Sequence, residues 1–186
     1  MDRKQSMGQH VLLAFVGKDR PSEEIVRALR EYRASGVTLF RGLNIDGPAQ
    51  VRQLTTQLQA LARALRLPRL LIATDQEGGQ LMAVGGATHL PGNMALGAAG
   101  STELARRAGE VLGRELAAMG INVNYAPDVD VNLNPHNPVV GIRSFGEDPS
   151  AVARLGAAVI AGIQSQHVAA TAKHFPGHGD AAGDSH

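Results

Sequence analysis

Short apolar runs rich in β-branched residues alternate along this chain with longer stretches in which apolar side chains recur every three or four positions. The runs read as buried strands and the stretches as amphipathic helices, so the pattern predicts repeated βα units around a parallel sheet. Val11 to Val16 is the first expected strand. Pro21-Ser22-Glu23-Glu24 signals a helix start, and Ile25, Val26, Leu29 and Tyr32 follow at helical spacing. Gly36 is expected to stop that helix, with Val37 to Phe40 as the second strand. Asp46-Gly47-Pro48 opens a helix to about Leu65 that carries Val51, Leu54, Leu58, Leu61 and Leu65 on one face, and Leu70 to Ala73 reads as the third strand. The Gly-rich region from Gly78 to Gly100 is too long for an ordinary connection and is expected to be a functional loop. Ser101-Thr102-Glu103-Leu104 caps a helix to about Met119, ended by Gly120. Ile121 to Tyr125 is the fourth strand, an irregular stretch from Ala126 to Asp148 precedes a helix from Pro149 to about Gln166, and His167 to Ala172 is the fifth strand.

Five such units suit either an open doubly wound sheet or the first part of a barrel. Asp75, Asp128, Asp130, Lys173 and His174 all follow directly on strands, and the C-terminal strand ends are where both folds place their ligands. No G-x-G-x-x-G follows the first strand and no G-x-x-x-x-G-K-[ST] occurs, which removes the usual support for a nucleotide-binding doubly wound domain.

Bulk properties narrow the choice. The chain has 186 residues, whereas a complete eight-stranded α/β barrel typically needs about 250. Hydrophobic residues at 44%, charged residues at 19% and a net charge of +1 point neither to disorder nor to an electrostatically chosen partner. Aromatic residues make up only 3%, without Trp, so stacking platforms for nucleic-acid bases are not expected and sugar recognition would rest on polar groups. Cysteine is absent, which excludes disulfides and thiolate chemistry and fits a reducing compartment. Met1 to His10 is polar, and no apolar run reaches the roughly 18 residues that span a bilayer. The expectation is a soluble cytoplasmic protein with neither a membrane nor a nucleic-acid partner.

Several polar groups could carry chemistry. In Asp75-Gln76-Glu77-Gly78-Gly79 two carboxylates lie two apart, ahead of glycines that let the backbone turn sharply and approach a ligand; Asp75 equally suits a turn cap. Arg143 stands alone in the apolar, Gly-rich loop Pro138 to Gly146, where its guanidinium could hold a carboxylate or sugar hydroxyls, or tie the loop to Glu147 or Asp148. Lys173 and His174 are adjacent, so both face one ligand only if the strand ends or bends there, and Phe175-Pro176-Gly177 provides that ending. A metal site on His174, His178 and His186 is disfavoured, because the spacings match no standard zinc pattern and no second carboxylate is placed to complete it. Neither metal nor cofactor is expected. In Asp184-Ser185-His186 a carboxylate has the spacing to orient an imidazole, which makes a His usable as a general acid or base.

Taken together, Asp75-Gln76-Glu77-Gly78-Gly79, the run Gly141-Ile142-Arg143-Ser144-Phe145-Gly146-Glu147-Asp148-Pro149 and Lys173-His174-Phe175-Pro176-Gly177-His178-Gly179, followed by Asp184-Ser185-His186, resemble glycoside hydrolase family 3. The resemblance runs from about Val11 to the end and is closest to the β-N-acetylglucosaminidase branch, whose members act in bacterial cell-wall (peptidoglycan) recycling. It implies a TIM-type (β/α)8 barrel, of which residues 1–186 would form one domain with about the first five βα units, an incomplete barrel. It also implies that Asp75 holds sugar hydroxyls, that Arg143, Lys173 and His174 line the site of the non-reducing sugar, and that His186, oriented by Asp184, is the general acid/base of a retaining hydrolysis through a covalent glycosyl-enzyme. The family commonly has an arginine directly after the Gly-Gly pair, where this chain has Gln80. The family's nucleophile is an aspartate late in the barrel, and Asp180 and Asp184 come too early to match it.

The leading expectation is therefore a glycosidase that removes terminal β-linked N-acetylglucosamine, with little turnover by these 186 residues alone. Alternatives are a β-glucosidase, β-xylosidase or phosphorylase of the same family, a non-catalytic sugar-binding fragment, and an unrelated doubly wound protein. Five units would also leave open sheet edges, to be covered by the rest of a longer enzyme, by a complementary chain or by self-association.

Overall fold

The structure, a computed structural model, describes residues 3–184. In chain order its elements are α1 (Arg3–Gly8), β1 (Leu12–Leu13), α2 (Glu23–Tyr32), β2 (Gly36–Thr38), α3 (Pro48–Ala64), β3 (Leu71–Thr74), β4 (Gln76–Gly78), β5 (Leu81–Met82), α4 (Asn93–Ala99), α5 (Thr102–Ala118), β6 (Val123–Asn124), α6 (Pro149–Gln164) and β7 (Ala169–Ala170), with a 3-10 turn at Gly141–Arg143 before α6. Two compact units divide the chain. The first comprises residues up to 74 together with 83–87 and 116–123, and the second comprises 75–82, 88–115 and 124 onward.

In the first unit β1, β2 and β3 run parallel, with Leu12 opposite Gly36 and Val37 opposite Ile72. Helices α2 and α3 cross between consecutive strands, as the alternation of patterns predicts. Ser22 caps α2 by accepting from the Ile25 amide at 3.4 Å, and the helix buries Ile25 and Leu29. Its end differs from expectation, because Arg33 at φ 53° takes the left-handed cap position and Gly36 opens β2 instead. A Cβ on Gly36 would lie 1.8 Å from the Leu71 carbonyl oxygen, so the glycine serves the close approach of β2 to β3. Pro48 sits in the first turn of α3, where its missing N–H costs nothing, and the face that α3 buries is Val51, Leu54, Leu58 and Ala62. Residues 116–123 add a further run beside β3: the Asn122 side chain accepts from Ile72 N at 2.7 Å and donates to Leu70 O at 2.9 Å.

The second unit holds β4, β5, α4, most of α5, Asn124 of β6, α6 and β7. Where a Gly-rich loop was expected after Gly78, the chain forms the antiparallel pair β4–β5 and the helix α4. Most of α5 lies against α6 at glycines: a Cβ on Gly109 would meet Val159 O at 2.2 Å, and one on Gly162 would meet Arg106 O at 2.1 Å. Asp148 caps α6 by accepting from the Ser150 and Ala151 amides at 3.0 and 3.2 Å. Asn124, buried at the end of β6, accepts from Gln76 N at 3.0 Å and donates to Gln76 O at 2.9 Å, and its carbonyl accepts from Thr171 N at 3.0 Å beside β7. Among the described residues the parallel strands of each unit form an open row, and the α/β arrangement matches the expected class. The strands are shorter than their apolar runs, because only the residues that pair with a neighbour count as strand.

Candidate active site

All the groups that form the site belong to the second unit, and each is delivered by the end of a strand or the loop that follows it. Asp75 and Glu77 flank Gln76 at the start of β4, directly after β3. Asp128 and Asp130 follow β6, and Asp128 is bridged in parallel to Lys173 just past β7. The peptides Lys173–His174 and Phe175–Pro176 are cis, and the side chains of both Lys173 and His174 reach the cluster. Asn93, at the start of α4, ties two of these loops together by donating to the carbonyls of Arg143 at 2.7 Å and Asp128 at 3.3 Å.

Arg143 lies against Glu77 as a two-pronged pair, Nε donating to Oε2 at 2.9 Å and Nη2 to Oε1 at 2.7 Å, while Nη1 donates to Val139 O at 3.2 Å. Both side chains are nearly closed to solvent, at 10% and 2% exposure. The hydrogen bonds to Glu77 hold the Arg143 guanidinium above its ordinary range despite burial. Lys173 Nζ donates to Asp75 Oδ1 at 2.7 Å and sits 2.6 Å from Glu77 Oε1, so one ammonium links both carboxylates of the Asp75-Gln76-Glu77 run.

His174 faces Asp130, with Nδ1 2.6 Å from Oδ2. A carboxylate only accepts, so Nδ1 carries the hydrogen and Nε2, 3.5 Å from Arg143 Nη2, presents its lone pair. Burial pushes Asp130 up, but hydrogen bonds from His174 and from the His178 amide outweigh it and hold the carboxyl below its ordinary range. The His178 amide donates to Asp130 Oδ1 at 2.5 Å, and the Ser144 hydroxyl donates to the Asp130 carbonyl at 2.6 Å. Asn137 secures the next layer by donating to His178 O at 2.7 Å.

Oxygens of Asp128 and Asp130 and a ring nitrogen of His174 lie within 4.8 Å of one another, an arrangement that the spacing of the histidines did not suggest. The guanidinium of Arg143, 3.6 Å from Asp128 Oδ2, occupies the cationic place beside that trio, and the group reads as an ion-pair network.

Of the residues singled out in the sequence, Asp75, Arg143, Lys173 and His174 come together. Asp184 is exposed, and His186 lies outside the described residues, so their pairing is not described. Arg143 is tied to Glu77, 66 positions away, and not to Glu147 or Asp148. Glu77, Asp128 and Asp130 enter the site without having been assigned to it. The shared feature that marked them was position, since each follows soon after a strand, Glu77 after β3 and Asp128 and Asp130 after β6. Two cavities flank the cluster, one of about 330 Å³ bordered by Glu77, Gln80, Ile142 and Arg143, the other of about 390 Å³ bordered by Asp130, Leu133, Lys173, His174 and Phe175.

Residues 4–186 match the N-terminal domain of glycosyl hydrolase family 3. The chain belongs to glycoside hydrolase family 3. Relatives include a β-hexosaminidase A from Pseudoalteromonas piscicida, 42% identical over 170 residues, which cover 88% of this chain and 28% of that one. A β-hexosaminidase from Neisseria meningitidis serogroup C is 38% identical over 184 residues, covering 95% of this chain and 49% of that one. The family 3 β-N-acetylglucosaminidase of Paenibacillus sp. str. FPU-7 superposes with a TM-score of 0.95 at 46% identity, over all of this chain and 35% of its own. The chain thus spans between about a quarter and a half of the length of these relatives.

Proposed function

We propose that residues 1–186 supply the N-terminal, sugar-holding part of a family 3 catalytic domain that removes terminal β-linked N-acetylglucosamine. The observation that carries this reading is the interlocked set Asp75–Lys173–Glu77–Arg143, with His174 oriented by Asp130, at the C-terminal ends of parallel strands. It offers what a hydroxyl-rich ring needs. The partly exposed Asp75 accepts, the ammonium of Lys173 and the guanidinium of Arg143 donate, and the His174 Nε2 lone pair accepts a further hydroxyl. Fixed donors and acceptors of this kind discriminate among sugars, because a substrate that lacks a matching hydroxyl leaves buried polar groups without partners.

Retaining hydrolysis with His186 as the general acid/base, oriented by Asp184, is part of the same proposal. So are a role in recycling cell-wall fragments and a cytoplasmic place of action. The carboxylates of the cluster do not serve as nucleophile here. Asp75 and Glu77 are engaged by Lys173 and Arg143, Asp130 by His174 and His178, and the Asp128 side chain is fully buried. The 186-residue chain is therefore expected to bind N-acetylglucosamine while releasing little nitrophenol from its nitrophenyl β-glycoside. Titration of isotope-labelled chain with N-acetylglucosamine tests the reading, with saturable shifts at Lys173, His174 and Arg143 as the expected result. Absence of binding, or equal response to glucose, would contradict it.

A further inference from the structure

Among the described residues, two buried side-chain oxygens lack a hydrogen-bond partner, Asp128 Oδ2 and Asn132 Oδ1, and only the first is ionisable. Such an atom calls for a physical reason, since buried polar groups are nearly always satisfied. The Asp128 side chain is fully buried. Its Oδ1 accepts from the Asp130 amide at 2.9 Å. The other oxygen, Oδ2, lies 3.6 Å from Arg143 Nη2 and 3.9 Å from His174 Nδ1, beyond hydrogen bonding but well inside the range at which a charge on it acts on both.

We propose that Asp128 is a positioning residue for the sugar-holding groups: through the Asp130 amide it fixes the carboxylate that orients His174, and through Oδ2 it sets the place of the Arg143 guanidinium. The inference rests on the reading that Arg143 and His174 hold a sugar.

The charged and titratable groups around Asp128 are Arg143 and, behind it, Glu77; Asp130 on the same loop; and His174, with His178 reaching in through Asp130 and Lys173 through Glu77. Burial, joined by the charges of Asp130 and Glu77 and opposed by the Asp130 amide and Arg143, pushes the Asp128 carboxyl up to about 7. Asp128 is accordingly poised between two forms near neutral pH. The ionised form draws the Arg143 guanidinium toward Oδ2 by charge alone, whereas the neutral form leaves it to the ligand. A sugar seated over the cluster removes water and further disfavours the charge, so binding takes up a proton. Across a midpoint near 7 the affinity is expected to fall by up to about tenfold from pH 6 to pH 8.

The test uses the 186-residue chain labelled with ¹³C and ¹⁵N. In the ligand-free wild type, the Asp128 carboxyl carbon is expected to titrate near pH 7, with the Arg143 Nε–H and His174 ring nitrogens shifting at the same midpoint. In Asp128→Asn both signals should lose that midpoint, and binding of N-acetylglucosamine should become flat between pH 6 and pH 8. A wild-type carboxyl that titrates in the ordinary aspartate range overturns the proposal, as does a variant that keeps the same pH slope. Should Asp128→Asn fail to fold, the coincidence of the three wild-type midpoints decides. Should N-acetylglucosamine fail to bind the wild type, the sugar-binding reading falls, while the carboxyl titration and the Arg143 and His174 signals still judge the role of Asp128.

Discussion

At the scale of single residues the cluster is a set of buried charges, each of which exists because another neutralises it. Glu77 shows this most directly, since its two oxygens serve both Arg143 and Lys173 at an exposure of 2%. Removing one partner of a buried pair leaves the other charge without compensation, at about 3–5 kcal/mol. Glu77→Ala is therefore expected to lower the stability of the chain by about 3 kcal/mol in urea unfolding, and a change below about 1 kcal/mol would mean that Arg143 finds another partner. Asp128 behaves in the opposite sense. Its folded-state pKa is raised, so the stability it lends is full below the unfolded value of 3.8 and is lost as pH rises through about 7. Asp128→Asn resembles the neutral carboxyl, and its stability relative to wild type is expected to be about 2–3 kcal/mol higher at pH 8 than at pH 5. Equal differences at the two pH values would place the carboxyl in the ordinary range. In the sequence, Asp75, Arg143, Lys173 and His174 were legible because each follows a strand or stands alone in an apolar loop. Their mutual geometry was not. The partner of Arg143 lies 66 positions away, and Asp130 became the orienting group of His174 through a fold that brings together positions 44 apart.

At the scale of elements the apolar rhythm located α2, α3, α5 and α6 to within a few residues, because a buried helical face needs apolar side chains at fixed spacing. The rhythm said less about what ends an element. Helix α2 ends at Arg33 in a left-handed conformation, and Gly36, which looked like a stop signal, is demanded by the carbonyl of Leu71 across β2 and β3. The β4–β5 pair and α4 were hidden in a Gly-rich stretch whose glycines suit turns as well as loops. Glycine has another use in the α5–α6 packing, where Gly162 meets the Arg106 carbonyl. Gly162→Ala is expected to force the two helices apart and to destabilise the chain by about 1–3 kcal/mol, even though alanine is the better helix former. A neutral or stabilising result in thermal unfolding would show that the helices can shift without loss. The α6 cap offers a milder case: Asp148→Ala should cost about 1 kcal/mol and leave the ion pairs of the cluster as they are.

At the scale of the molecule, the parallel strands, the order of the motifs and the match over residues 4–186 identify a family 3 chain. No helix among the described residues is long and apolar enough to cross a membrane. Light scattering at micromolar concentration tests the self-association raised by the expected open sheet edges. A mass above 19.5 kDa would indicate pairing between copies, and a mass of 19.5 kDa would set that aside. The central claim is that Asp75, Arg143, Lys173 and His174 act together as a sugar-holding site, and binding of N-acetylglucosamine to the 186-residue chain tests it most directly. The account predicts saturable binding with resonance shifts confined to these residues and their partners, abolished by Lys173→Ala and retained in Glu103→Ala, an exposed residue in the first turn of α5. Shifts scattered elsewhere on the chain, or binding that survives the loss of Lys173, would contradict it.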